Sequence, residues 1–441
     1  MELFLIMWLI LKNWWWFFLP IILAPVFSFF YLYWLRWEVW YPKFKWVILE
    51  IKPPAEILKP FRAMEDIFSL LWGIYDGPNW RERWCEGEIP LGGGLWFSFE
   101  IASFGGDIHF YARVPDGFQG TLEAAIYSQY PDVEISYVED YTQKVPQDIP
   151  NKEWDLYSED YTLGKDDVYP IKTYSMFFEE RPEMVKEEKR IDPMDSLLEA
   201  LAKLKPGEQL WFQMVTNPIL GEFPFVAKGR SIANKIAKRP EPSKRKSIFQ
   251  DVFEILTGAK SAEAPPKEEG LIAPELRLTP GEKEVLHGVE TKISKKYYQT
   301  WMRLVYLYER DKPHFMGNYK IIRTYFNHFA TENLNYLVFW GPTRTRIHYW
   351  LRERRLYLRK RQRLRSYIDR LPSLWPRTMK GDLIIPFGLA SRGPGIRGTA
   401  ILNIEELATI FHFPAKITAL APAVRPVEAK RGGPPPGLPV E

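Results

Sequence analysis

Hydrophobic and polar positions divide the chain into three regimes. The first is a continuous apolar block: residues 17–32 carry no charge and only one polar side chain, Ser28. With its flanks, residues 14–35, the block has the roughly 20-residue length that spans a hydrocarbon core. Trp14, Trp15 and Trp16 stand at one edge, and Tyr31, Tyr33, Trp34, Trp37, Trp40 and Tyr41 at the other. Amphipathic rings at both ends suit the headgroup level. Pro20 and Pro25 would kink a soluble helix but are tolerated in membrane helices. Residues 1–11 contain no Lys or Arg, so a cleaved signal peptide with a basic leader is a poor fit. Only Lys12 precedes the block, whereas Arg36, Lys43, Lys45, Lys52, Lys59 and Arg62 follow it. That asymmetry predicts a single-pass anchor in the cell membrane (residues 1–41), with the C-terminal body cytoplasmic.

The second regime alternates between strand and helix periods. Residues 45–52 read as a strand stopped by Pro53-Pro54, and 57–74 as a helix with Phe61, Met64, Ile67, Phe68 and Leu71 on one stripe. Residues 95–103 and 107–114 form a hairpin around Gly105-Gly106, followed by a helix at 121–130 and a strand at 133–138. The order βαββαβ predicts a ferredoxin-like unit over 42–142. A second copy is expected over 143–342. Its predicted elements are a strand at 167–178, a helix capped by Asp192-Pro193, a strand at 209–216, a helix opened by the capping box Thr279 to Glu282, a strand at 300–308, a helix at 313–330 and a strand at 335–339. An insertion at about 218–278 interrupts this copy, with an amphipathic piece at 247–256. The fold class expected is therefore α+β, an N-terminal membrane helix followed by two ferredoxin-like units.

The third regime is basic. Between 343 and 371 eleven Lys and Arg face only Glu353 and Asp369, and apolar residues recur at helical spacing, which predicts an arginine-rich amphipathic helix. Arg352, Arg354, Arg355, Arg359, Arg361, Arg363 and Arg365 are the candidate contacts to phosphate or lipid, with Tyr349, Trp350, Tyr357 and Tyr367 among them. The pattern fits nucleic acid, anionic lipid, or a face paired with acidic segments such as 179–188, and the choice stays open. Residues 372–414 hold a candidate strand at 383–389 and a helix at 404–411 capped by Asn403 and Glu406, and 415–441 is a Pro-rich tail read as disordered.

Composition adds limits. The net charge of +4 is modest. Cys85 is the single cysteine, which excludes an internal disulfide framework and leaves a lone thiol without a local partner. The six histidines form no HExxH-type pair, so no metal site is predicted. Gly393 to Gly398 formally matches GxGxxG, yet no strand with an acidic residue follows it. No GxxxxGK[ST] run occurs. The chain therefore reads as non-catalytic and free of cofactors.

The runs LEIKPP, LWFSFEIASFGGDIHFYARVP, LEAAIYSQYPDVEI, GKDDVYPIKTY and ILNIEELATIFHFP resemble a membrane protein family of unknown function from ultra-small, Patescibacteria-type bacteria. In that family a similar region stands N-terminal to type IV secretion ATPases of the conjugative DNA-transfer kind. The resemblance implies an accessory or scaffold protein of a type IV secretion-like apparatus that docks a separate ATPase, because this sequence gives way to a Pro-rich tail where the nucleotide fold would begin. It assigns no catalytic residue. The partners expected are membrane lipid, the ATPase or another secretion subunit, and a second copy of the chain. A membrane-tethered nucleic-acid-binding protein is the alternative.

Overall fold

The computed structural model describes residues 2–35, 39, 43–54, 57, 59–77, 79–81, 84, 96–177, 192–220, 224–237, 239, 278–348, 351–371 and 399–415. Trp37, Cys85, the acidic run 179–188, the amphipathic piece 247–256, the candidate strand 383–389, the glycine motif 393–398 and the tail from 416 lie outside them.

Helix α1 (Glu2–Trp34) contains Pro20 and Pro25 and has one non-helical residue, Trp14. Within it, Lys12–Leu32 is 21 residues long, almost wholly exposed, and apolar enough to cross a bilayer. It is the one such helix among the described residues.

The body is built on one antiparallel sheet of nine strands. The first half runs β1 (Trp46–Lys52), α2 (Pro60–Leu71), β2 (Phe97–Phe104), β3 (Asp107–Pro115), α3 (Gln119–Gln129) and β4 (Glu134–Val138), with strand order β4-β1-β3-β2. The second half runs β5 (Trp154–Leu163), α4 (Pro193–Ala202), β6 (Glu208–Ile219), α5 (Pro224–Ile236), α6 (Pro280–Ser294), β7 (Tyr297–Glu309), α7 (Ile321–Phe326) and β8 (Leu337–Phe339), with order β6-β7-β5-β8. The halves join where β2 pairs antiparallel with β6, Phe97 opposite Thr216 through Phe104 opposite Gln209. The turn from β2 to β3 needs glycine: Gly105 and Gly106 have φ of +61° and +101°, and a Cβ on Gly106 would stand 2.8 Å from the Ala202 carbonyl oxygen.

Helices α2, α3, α4 and α7 bury their apolar stripes on one face of this sheet, with Met64, Ile67, Phe68, Leu197, Leu201 and Phe326 in the core. The final piece, β9 (Ala400–Asn403) and α9 (Ile404–Ile410), joins that layer. β9 pairs with β7, and Leu407, Phe411 and Phe413 enter the same core. Asn403 caps α9 in a capping box with Glu406, as the spacing predicts. The opposite face is covered by the segment Tyr141 to Ile149 and by α8 (Arg352–Ile368), through Leu364 and Tyr367.

Three expectations are corrected. The first strand of the second half is β5, not 167–178. In the latter segment the backbone N–H groups of Ile171 and Tyr174 donate to the Glu406 and Thr409 side chains at 2.9 and 3.0 Å, and that of Lys172 to the Phe329 carbonyl, so they are taken up without a ladder. The predicted helix at 313–330 is reduced to α7 between short 3₁₀ turns. The basic helix begins at Arg352 rather than 343, because Thr343 and Thr345 are bonded along β5: Thr345 exchanges hydrogen bonds with Ser158 at 2.8 and 3.0 Å.

Candidate functional site

The basic segment stays on the sheet because an acidic strand lies beneath it. Every residue of β5 after Trp154 is buried, including Asp155, Glu159 and Asp160. Buried carboxylates require partners. Lys360 of α8 reaches Asp155 at 2.5 Å, and Arg363 reaches Asp160 at 3.3 Å, where Arg303 of β7 also donates at 2.8 Å. Lys360, Arg363, Leu364 and Tyr367 fall at i, i+3, i+4 and i+7, one helix face. Burial and repulsion from Arg303 and Arg359 bring Arg363 down to about 10 against the pull of Asp160, so it remains a cation at neutral pH.

The strongest lock lies just past the helix. Arg370 has φ +55° and is fully buried. Its Nε and Nη2 donate to the two Glu100 oxygens at 3.0 and 3.2 Å, and its Nη1 and Nη2 to Asp140 at 2.5 and 3.1 Å. Glu100 also accepts from Ser98 and Tyr141 at 2.7 Å each and from Gln213 at 3.0 Å. Tyr141 and Tyr367 share a 2.7 Å hydrogen bond, which ties α8 to the same cluster. Burial works against the Glu100 carboxylate, yet Arg370, Ser98 and Tyr141 together hold it below its ordinary value. Asp140 is likewise held low, by Arg370 and Thr142 against the cost of burial. This is a charge-assisted, fork-shaped pairing with its lone pairs filled, the arrangement that makes a buried ion pair tolerable.

The outward side of α8 is different. Of the seven arginines the sequence singles out, Arg352, Arg354, Arg355, Arg361 and Arg365 are exposed. Arg359 is half-buried and donates to the Arg344 carbonyl at 2.9 Å, and Arg363 is buried. Leu351, Tyr357 and Leu358 are exposed among the five, and Arg361 donates to the Tyr357 hydroxyl at 3.0 Å. The anchor candidates Trp14, Trp15, Trp16 and Trp34 are exposed on α1.

Sequence reading did not anticipate three further polar clusters. Glu159 is gripped by Arg323, whose Nε donates at 2.6 Å, and by the hydroxyls of Tyr157 and Tyr161, with Arg323 and Arg344 lying over the Phe339 ring. Lys295 sits between Glu65 and Glu405 at 2.8 and 2.7 Å. The His412 ring nitrogens lie at hydrogen-bond distance from the Ala408 carbonyl, 3.1 Å, and from Asp192, 2.8 Å. In each, the paired acidic and basic side chains face one another from 110 or more positions apart in sequence, which hid them from motif reading. Among the described residues no group of three or more His, Cys, Asp or Glu has a metal-binding arrangement. What the arrangement does chemically is fix a basic helix and present its outer arginines.

Fold and site together define an α+β protein on one antiparallel sheet, with an apolar N-terminal helix and a basic helix docked on the sheet. The family described as a domain of unknown function (DUF8128) matches residues 94–335, more than half of the chain, and the chain belongs to that family. The match runs from just before β2 to just before β8 and leaves α1, β1, α2, β8, α8, β9 and α9 outside it. No curated protein matches the chain.

Proposed function

We propose that the protein is a membrane-anchored, non-catalytic scaffold of a type IV secretion-like or DNA-transfer apparatus, docking a separate ATPase. On this reading α1 crosses the cell membrane once and the body is cytoplasmic, as the excess of cations after the span favours. The observation that carries the proposal is the disposition of charge: Lys360, Arg363 and Arg370 pair with Asp155, Asp160, Glu100 and Asp140, which fixes α8 on the sheet and leaves its other arginines facing outward. We read the body as two ferredoxin-like units sharing the β2–β6 seam, because β4-β1-β3-β2 and β6-β7-β5-β8 repeat one strand order outward from it. Among the described residues the sheet then ends on β4 and β8, and β4, with Tyr137 exposed, offers an edge for β-addition of a partner strand or a second copy. The resemblance of its sequence runs to the region preceding conjugative ATPases supports the choice of partner.

Crosslinking in native membranes, followed by recovery of the tagged chain with its bound protein and nucleic acid, tests the proposal. Recovery of a nucleotide-hydrolysing secretion subunit supports it, and its absence from the crosslinked set counts against it. A second reading, a membrane-tethered nucleic-acid-binding protein, is favoured by the exposed arginines with Tyr357 beside Arg361. It requires salt-sensitive DNA or RNA binding that is lost on neutralising Arg354, Arg355 and Arg361.

A further inference from the structure

The outward stripe of α8 carries chemistry that docking onto the sheet leaves unassigned. Arg354, Leu358, Arg361 and Arg365 stand at i, i+4, i+7 and i+11, opposite the buried Arg363 and Tyr367, with Arg355 beside them. Leu358, 55% exposed, sits in the middle of this stripe, and Leu351, 52% exposed, lies at its start. A track for nucleic-acid phosphates has no use for an exposed leucine at its centre. A helix at a lipid surface does: guanidinium groups bind headgroup phosphates while short apolar side chains enter the headgroup–acyl boundary.

Placement favours the same partner. Just past α8, Leu371 packs in a small cluster with Trp96, Trp301 and Trp46, the first residue of β1. The Arg113 guanidinium lies 4.1 Å from the Trp46 ring centre. The C-terminal end of α8 therefore adjoins the point where the chain from α1 joins the body. Residues 35–45 separate Trp34 from Trp46. Even fully extended, that tether reaches only about 40 Å, and α8 is itself about 25 Å long. Lys360, Arg363 and Arg370, pinned from beneath, keep the stripe facing away from the sheet.

We propose that this stripe is a second membrane contact, seated on acidic phospholipid headgroups of the bilayer that holds α1. The inference rests on the reading of α1 as a membrane anchor and adds the orientation of the body: α8 lies against the bilayer, leaving the β4 edge for protein partners.

The test uses the full chain in nanodiscs of phosphatidylcholine with or without phosphatidylglycerol, bearing a fluorophore at Gln362→Cys in a Cys85→Ser background. Lipids spin-labelled at the headgroup serve as the quencher. Strong quenching is expected with phosphatidylglycerol, falling to the phosphatidylcholine level in high salt and in the Arg354→Gln, Arg355→Gln, Arg361→Gln, Arg365→Gln variant. The affinity loss expected is roughly fivefold for each arginine neutralised. Leu358→Gln should reduce quenching by deeper acyl-chain spin labels while leaving the salt dependence in place. Equal quenching in both lipids, or none with phosphatidylglycerol, overturns the inference. So does relief of quenching by a short DNA duplex that itself shields the label, which would assign the stripe to nucleic acid. Protease protection of the N-terminus, measured on the same discs, reports separately on α1. A spanning α1 with an unquenched label sinks the stripe alone, and a chain that fails to insert sinks the anchor reading beneath it.

Discussion

Arg370 is the residue on which the docked helix depends most. Replacing it with Met strands Glu100 and Asp140 in a buried site, and a loss of about 3–5 kcal/mol is expected in denaturant unfolding. The exposed arginines behave oppositely: neutralising Arg354, Arg355, Arg361 and Arg365 should leave stability within about 0.5 kcal/mol of the parent. The pH response follows from the same pair of acids. Glu100 and Asp140 are held below their ordinary values of 4.5 and 3.8 in the folded chain. The unfolded state thus takes up protons first as pH falls, so the stability they lend is complete above about pH 5 and is lost in the acid range through their folded values. Unfolding midpoints measured from pH 7 down to pH 3 should show a shallower decline in Glu100→Gln than in the parent. An unchanged decline would remove Glu100 from the lock.

At the scale of elements, the sequence disclosed those whose hydrophobic period is plain and concealed those stabilised by distant charges. The α2 stripe of Phe61, Met64, Ile67, Phe68 and Leu71 is buried as its spacing predicts. The hairpin at Gly105-Gly106 and both capping boxes also stand where local chemistry puts them. β5 was illegible because WDLYSEDYTL contains three carboxylates and looks solvated. Their cations, Arg303, Arg323, Lys360 and Arg363, come from 140 to 205 positions later. Among the described residues, the acidic partners of the basic segment are a core strand and the residues Glu100 and Asp140. β9 was missed because four residues at the head of a capped helix carry no strand period of their own, and pairing with β7 makes the strand. Five of the seven arginines are exposed and the other two turn toward the sheet, since a helix face is set by what lies beneath it. The late β9–α9 piece should be indispensable: deleting residues 399–415 removes Leu407, Phe411 and Phe413 from the core and should abolish cooperative unfolding. Asn403→Ala should cost about 1 kcal/mol through the lost cap.

At the scale of the molecule, the abundant tryptophan has two uses. Trp14, Trp15, Trp16 and Trp34 are exposed along α1, whereas Trp96, Trp211 and Trp301 are buried in the body. On the proposed reading α1 holds the protein in the bilayer, α8 sets the body's orientation, and the open sheet edge takes the partner. A chain lacking residues 1–41 should then be recovered from cells without detergent, while the full chain requires it. Docking of a separate ATPase on the edge of the sheet can be read out by a photo-crosslinking side chain placed at Tyr137 of β4 and, for comparison, at Gln362 of α8, in native membranes. Capture of a nucleotide-hydrolysing subunit from Tyr137 and lipid adducts from Gln362 are expected. Capture of no protein from Tyr137, or of the ATPase from Gln362 alone, would contradict that docking.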